Sequence, residues 1–318
     1  MIKRRLLVSI PTLFGICSIS FLLMRLSPGD PTLIYQDPHV SLDDLAQIRS
    51  NLGLNEPILV QFYSWMKHTL SGDFGFSFVT GEPVLSLILS RLYPTLLLSI
   101  SGFVLIFVIT FFLGLYSGYR AYSLADQLIM IISFIGLSMP SFWIGLLLIL
   151  GLSEHLNWFP SSGFIDPSLV HSSWLTQSFN ILHHMALPLL TITLGGIAGL
   201  TRYTRYGIID VMHKPFILAA RARQIPEKRI LFFHAAKNAL LPLITILGLQ
   251  LPGLISGSFI IEFIFAWPGL GQLGVQSIFS RDYPVLMATL LFSGILIIIG
   301  NIVSDWLYTI VDPRIRRQ

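Results

Sequence analysis

The chain of 318 residues is 53% hydrophobic and only 11% charged, with a mean hydropathy of +0.74, which excludes an ordinary soluble domain and points to an all-α integral membrane protein. A net charge of +4 and a pI near 9.3 come without an aromatic-interleaved basic patch, so they give no reason to expect a nucleic-acid partner. One cysteine, Cys17, excludes a disulfide framework or a thiolate metal cluster built from this chain.

Uncharged runs at 6–24, 92–119, 127–153, the later part of 167–201, 238–261 and 283–304 are each close to the ~20 residues that a helix needs to cross a bilayer. They predict six transmembrane helices. Lys3-Arg4-Arg5 before the first run resembles the start of a secretory signal, but no A-x-A-like cleavage site follows, so the run is expected to stay as the first span. Residues 27–91 are then expected to form an external helical cap. Ser41 with Asp44 suggests a capping box, and Gly53 suggests the stop of that helix. Pro57 opens a second helix to about Leu70, with Ile58, Leu59, Phe62, Trp65 and Met66 as its apolar stripe. The stretch from Glu154 to about Met185 holds four of the eight histidines and is expected to be mostly loop. His183 and His184 are adjacent, about 100° apart on a helix, and so do not form the i, i+4 pair of a helical metal site. A seventh uncharged run, 263–280, carries Pro268, Gly269, Gly271 and Gly274 and is expected to be a surface or re-entrant helix.

Lysine and arginine set the orientation. Lys3, Arg4, Arg5, Arg120, the basic loop 202–237 and the tail Arg314, Arg316 and Arg317 fall on one side of six spans. Only Arg49, Lys67, Arg91 and Arg281 fall on the other, with Arg25 at the end of the first run. The positive-inside rule therefore puts both termini and the loop in the cytoplasm. Within the spans there is little chemistry. Asp305 follows the last run directly, near the cytoplasmic end of the last span, and Glu262 follows the fifth, and both are candidates for a pathway or a structural role. The pairs Gly114/Gly118, Gly195/Gly199 and Gly253/Gly257 have the spacing that lets helix backbones approach closely. No glycine precedes a lysine, which excludes a phosphate-binding P-loop, and neither H-E-x-x-H nor G-x-S-x-G occurs.

The basic loop is the most informative segment. Pro215 and Pro226 each suit the first turn of a helix, so it reads as two short helices. Phe216, Ile217, Ala220 and Ile225 would form an apolar side, and Arg221, Arg223, Lys228 and Arg229 a cationic one.

The loop AARARQIPEKRILFFHAAKNALLP resembles the cytoplasmic EAA loop of ATP-binding-cassette importer permeases, in the form used by the dipeptide, oligopeptide and nickel group. RLSPGDP, LGLNEPILVQFYSWM, GDFGFSF, SMPSFWIGLLL, IIEFIFAWPGLGQLGVQSIFSRDYPV and DPRIRR are similar to further segments of that group, in order along the chain. The resemblance implies one transmembrane domain over 1–318 in the bacterial inner membrane. It also implies a non-catalytic subunit that pairs with a second homologous permease, receives short peptides or nickel from an external binding protein, and is driven by two cytoplasmic ATP-binding subunits. No cofactor is expected on this chain, because ATP is hydrolysed by the partners; lipid is its other neighbour. Phe216, Ala219, Ala220, Arg221, Ala222, Arg223, Gln224, His234, Asn238 and Pro242 then carry the coupling to the ATPases. One position departs: the group has glycine where this chain has Gln224, which puts the turn between the two short helices in question. A self-sufficient secondary transporter or channel is the alternative, but it would call for an inverted repeat or paired intramembrane charges.

Overall fold

The computed structural model describes residues 2–26 and 55–311, with positions 47 and 50 besides. The capping pair Ser41/Asp44, the stop at Gly53 and the tail motif 312–317 lie outside the described residues. In chain order the helices are α1 (Ile2–Leu26), α2 (Ile58–Leu70), α3 (Val84–Tyr119), α4 (Leu124–Ser138), α5 (Ser141–Leu148), α6 (Trp174–Met212), α7 (Pro215–Ala222), α8 (Ala236–Ile264), α9 (Leu270–Ser280) and α10 (Tyr283–Val311). Among the described residues the only β contact is an isolated bridge between Phe76 and Pro83.

Four of these helices, α1, α3, α6 and α10, are long and apolar enough to cross a membrane, and α4 with α5 and its extension to His155 makes a fifth if the bent pair is one span. The described residues thus support four to five spans. The 29-residue α8 stands where another run was expected and would reach about 44 Å at the α-helical rise, although part of its side chains lie outside the described set. The 127–153 run is not one straight helix. It turns by 105° at Met139–Pro140, because Pro140 lacks an amide hydrogen and holds Met139 in the extended region at φ −94°, ψ 134°.

Two further expectations need correction. Helix α6 begins at Trp174, so much of the stretch expected to be loop is helical; the Ser173 hydroxyl caps it by accepting from the Thr176 amide. Its histidines are occupied locally, His183 Nε2 against the Trp158 carbonyl at 2.9 Å and His184 Nδ1 against the Asn180 carbonyl at 3.0 Å. Helix α3 starts at Val84, ahead of the expected run, which brings Arg91 inside it.

The chain divides into two compact units, 1–95 with 268–298 and 96–267 with 299–318. In the first unit, Phe21 of α1 packs edge-on against Phe62 of α2 at 5.3 Å and beside Trp65 at 6.2 Å, over a small core of Phe21, Met24 and Met287. The α2 stripe is narrower than expected: Phe62, Trp65 and Met66 are half-buried, whereas Ile58 and Leu59 are exposed. Asp282 pins the turn that follows α2, since Ser77 Oγ donates to its Oδ2 at 2.5 Å and the Phe78 amide to its Oδ1 at 3.1 Å. The 263–280 run gives α9, whose 11 residues reach only about 16 Å, too short to span. It is not a surface helix throughout, because Leu270, Gly271, Leu273, Gly274 and Ser277 are buried and the Leu270 amide donates to Thr95 Oγ1 at 2.8 Å.

The second unit is built around α6. Gly114 and Gly118 of α3 are contact points as expected: a methyl added at Gly114 would lie 2.4 Å from Thr204 Cβ, and one at Gly118 would lie 2.7 Å from Ile208 Cβ. The other expected pairs behave differently. A methyl at Gly195, Gly199 or Gly253 would meet nothing within 4 Å, and α6 makes its close approach through Gly196 against Ile106 instead. The surroundings of Gly257 lie outside the described residues.

Candidate coupling interface

Helix α7 follows α6 after Met212, and its start agrees with the sequence: Lys214 is the capping residue and Pro215 occupies the first turn, where no amide hydrogen is needed. Pro226 differs. It stands just outside the next helical turn, Glu227–Arg229, which runs through a wider π-type turn, Ile230–Ala235, directly into α8. The loop therefore holds one free-standing short helix and a helical lead-in to a long one.

Burial gives α7 two sides. Ile217 and Ala220 point inward and join Leu115, Ile208, Val211, Met212, Ile230, Ala235 and Ala236 in one apolar cluster. Phe216, Leu218, Ala219, Arg221, Ala222 and Arg223 are exposed. Two sequence expectations change accordingly. Ala220, expected on the contact side, is buried against the chain's own helices, and Phe216, expected beside it, lies on the outer side at 42% exposure. Arg221 is engaged within the chain, with Nε 2.8 Å from Glu227 Oε1, and this bonding raises the guanidinium further above its ordinary pKa. As an exposed pair it contributes at most about 1 kcal/mol.

Gln224 resolves the question posed by the missing glycine. It adopts the left-handed conformation at φ 57°, closing α7 with two hydrogen bonds: its own amide to the Arg221 carbonyl at 2.8 Å and the Ile225 amide to the Ala220 carbonyl at 3.2 Å. Half-buried Ile225 packs on the same cluster. Glutamine thus takes the turn that glycine would take without strain. Ala266 at φ 46° closes α8 in the same way, through Trp267 N to the Glu262 carbonyl at 2.8 Å.

The remaining candidates are dispersed. His234 is half-buried in the lead-in turn, and Asn238 is exposed with its Nδ2 donating to the His234 carbonyl at 2.7 Å. Pro242 lies within α8, with its side chain outside the described set. Glu262 is wholly buried near the far end of α8 and accepts from Ser258 Oγ at 3.1 Å. Asp305 is half-buried in α10 and engaged with a neighbouring group. Neither carboxylate belongs to the α7 cluster.

Sequence reasoning missed a polar cluster in the second unit. Arg205, assigned from its charge to the basic loop, is buried in α6 and forks onto Asp126 of α4, Nε to Oδ1 and Nη2 to Oδ2 both at 2.7 Å. Ser117 Oγ at the end of α3 also donates to Asp126, and the Tyr122 amide donates at 2.7 Å. The rings of Tyr122 and Tyr206 flank the guanidinium with centroids 5.6 and 5.3 Å away. One carboxylate thereby joins the ends of α3, α4 and α6. The signal available in the sequence was an acid at the opening of one apolar run and an arginine just after another.

The family described as binding-protein-dependent transport system inner membrane component matches residues 110–317, and its N-terminal companion family matches residues 1–101. The oligopeptide transport system permease protein AppB of Bacillus subtilis is 46% identical over 318 residues, covering 99% of this chain and 98% of its own. The glutathione transport system permease protein GsiC of Salmonella paratyphi A is 35% identical over 315 residues, with 99% and 98% covered. Among solved structures, an inward-facing form of the MetNI methionine ABC transporter aligns with a TM-score of 0.58 at 18% identity, covering 73% of this chain and 99% of that one, a likeness of fold.

Proposed function

This chain belongs to the family of binding-protein-dependent transport system inner membrane components, and on that premise we propose that it forms half of the translocation pathway of an ABC importer for short peptides. Relatives named for oligopeptide and glutathione transport, covered over nearly their whole length, support peptides over nickel. In this reading the chain crosses the membrane six times with both termini and residues 202–237 in the cytoplasm. It pairs with a second permease, receives substrate from an external binding protein, and leaves ATP to two cytoplasmic ATPase subunits.

The observation that carries the mechanism is the two-sided burial of α7. Ile217 and Ala220 fasten the helix to the cluster at the ends of α3, α6 and α8, while Phe216, Ala219, Ala222 and Arg223 are free to meet a partner. Closure of the ATPases on ATP would push α7, and the packed cluster would transmit the push to the membrane helices, because a close-packed interior shifts between discrete arrangements and does not yield continuously. The Asp126–Arg205 fork keeps the ends of α4 and α6 moving together. The chain supplies a coupling free energy between the nucleotide site and the pathway.

Proteoliposomes test this. Peptide uptake should require ATP, the ATPase subunits, the second permease and the binding protein together with this chain. Uptake by this chain alone, without ATP, would favour a self-sufficient transporter.

A further inference from the structure

A cavity of about 710 Å³ opens within the first unit, between the end of α1, one face of α2, the 72–81 turn and the start of α10. Its size falls in the range of small-ligand sites, and its walls are mainly apolar, Trp65 and Phe74 among them. Among the described residues the charges on its lining are of opposite sign: Arg25 at the end of α1, with Glu56 and Asp73. Arg25 is the informative residue. Its Nε is buried with no hydrogen-bond partner among the described residues, and its guanidinium lies over the ring face of Phe21, 5.4 Å from the centroid. Among the described residues this half-buried guanidinium has no hydrogen-bonded anion to offset its desolvation.

We infer that this cavity is a binding site for a short peptide with free termini, the guanidinium of Arg25 taking the C-terminal carboxylate and Glu56 and Asp73 the terminal ammonium. The inference rests on the reading that peptides are the cargo and adds a site on the permease itself. A carboxylate suits the planar fork of arginine, which can donate two parallel hydrogen bonds. Two acids in the lining disfavour a purely anionic ligand, whereas a zwitterion with an apolar body satisfies the cation, the acids and the aromatic walls together. Asp73 is already oriented, since its Oδ1 accepts from the Gly75 amide at 2.9 Å.

The test is equilibrium binding to the assembled transporter in nanodiscs, with the binding protein omitted. The probes are Phe-Ala-Phe with free termini, its C-terminal amide and its N-acetyl form. Wild type should bind the free peptide about tenfold more tightly than the amide, the loss expected for a hydrogen-bonded charge. Arg25→Gln should weaken the free peptide by a similar factor and erase the preference over the amide. Glu56→Gln should erase the preference over the N-acetyl form, and it keeps the test open if Arg25→Gln fails to insert. Equal binding of all three peptides to wild type would overturn the inference. So would Arg25-dependent retention of phosphatidylglycerol with no peptide bound, which would mark a lipid site. If the complete transporter takes up peptide while the nanodiscs bind none, this inference alone fails; if the complete transporter takes up no peptide, the proposed function fails.

Discussion

Asp126 and Arg205 are 79 residues apart in sequence and meet through two 2.7 Å hydrogen bonds, with 2% and 9% of their side chains exposed. Removing one partner strands the other charge in a buried site, an effect of about 3–5 kcal/mol, whereas removing both is far milder. Asp126→Asn and Arg205→Met should each lower the thermal midpoint of the purified protein markedly, and the double variant should recover much of the loss. Additive losses would mean that the two residues do not depend on each other.

Close packing at α3 and open space on α6 give opposite outcomes for the same substitution. Gly114→Ala would put a methyl 2.4 Å from Thr204 Cβ and 3.1 Å from the Thr201 carbonyl oxygen, and should cost about 1–3 kcal/mol through overpacking. Gly195→Ala meets nothing within 4 Å and should be neutral or stabilising by up to about 1 kcal/mol, as alanine is the better helix former. Thermal unfolding of the two variants side by side checks the contrast. A loss of co-purifying second permease in Gly195→Ala, with stability intact, would place that open face against the partner.

At Gln224 the expected direction is a gain. A side chain in the left-handed region costs about 1–2 kcal/mol, so Gln224→Gly should stabilise the end of α7 by up to that amount. Gln224→Val should destabilise it, because a branched side chain is worst tolerated there. Protease susceptibility between Ala222 and Pro226 reads both.

Ser77→Ala removes one of the two recorded donors to Asp282 and leaves the other. A cost of about 1–3 kcal/mol is expected, confined to the 72–83 turn. Faster hydrogen exchange at the Phe78 amide, with α6 and α8 unchanged, is the expected signature.

Much of this architecture was legible in the residues, for identifiable reasons. Long uncharged runs announce membrane helices because the bilayer demands length and apolarity over a continuous stretch. Pro215 marked the start of α7, and the Gly114/Gly118 spacing marked a close helix contact. What escaped was set by tertiary structure. Ala220 and Phe216 both read as apolar on one side of a short helix, and only the packing of α7 on residues of α3, α6 and the lead-in to α8 decides that Ala220 faces inward. Arg205 looked like one more cytoplasmic cation until Asp126 was brought to it by the folding of α4 onto α6. The bend at Pro140 was visible as a proline, but its angle depends on how α5 packs. Gln224 shows that a left-handed turn can be kept without glycine when two backbone hydrogen bonds and the packing of Ile225 hold it.

The central claim is that the outer side of α7 meets the ATPase subunits while its inner side belongs to the permease. A photo-crosslinking residue placed singly at Phe216, Ala219 and Ile217 in the assembled, transport-active complex tests it directly. Positions 216 and 219 should crosslink to an ATPase subunit, and position 217, buried in the chain's own cluster, should give only internal products. An active transporter in which 216 and 219 give no ATPase adduct would contradict the account.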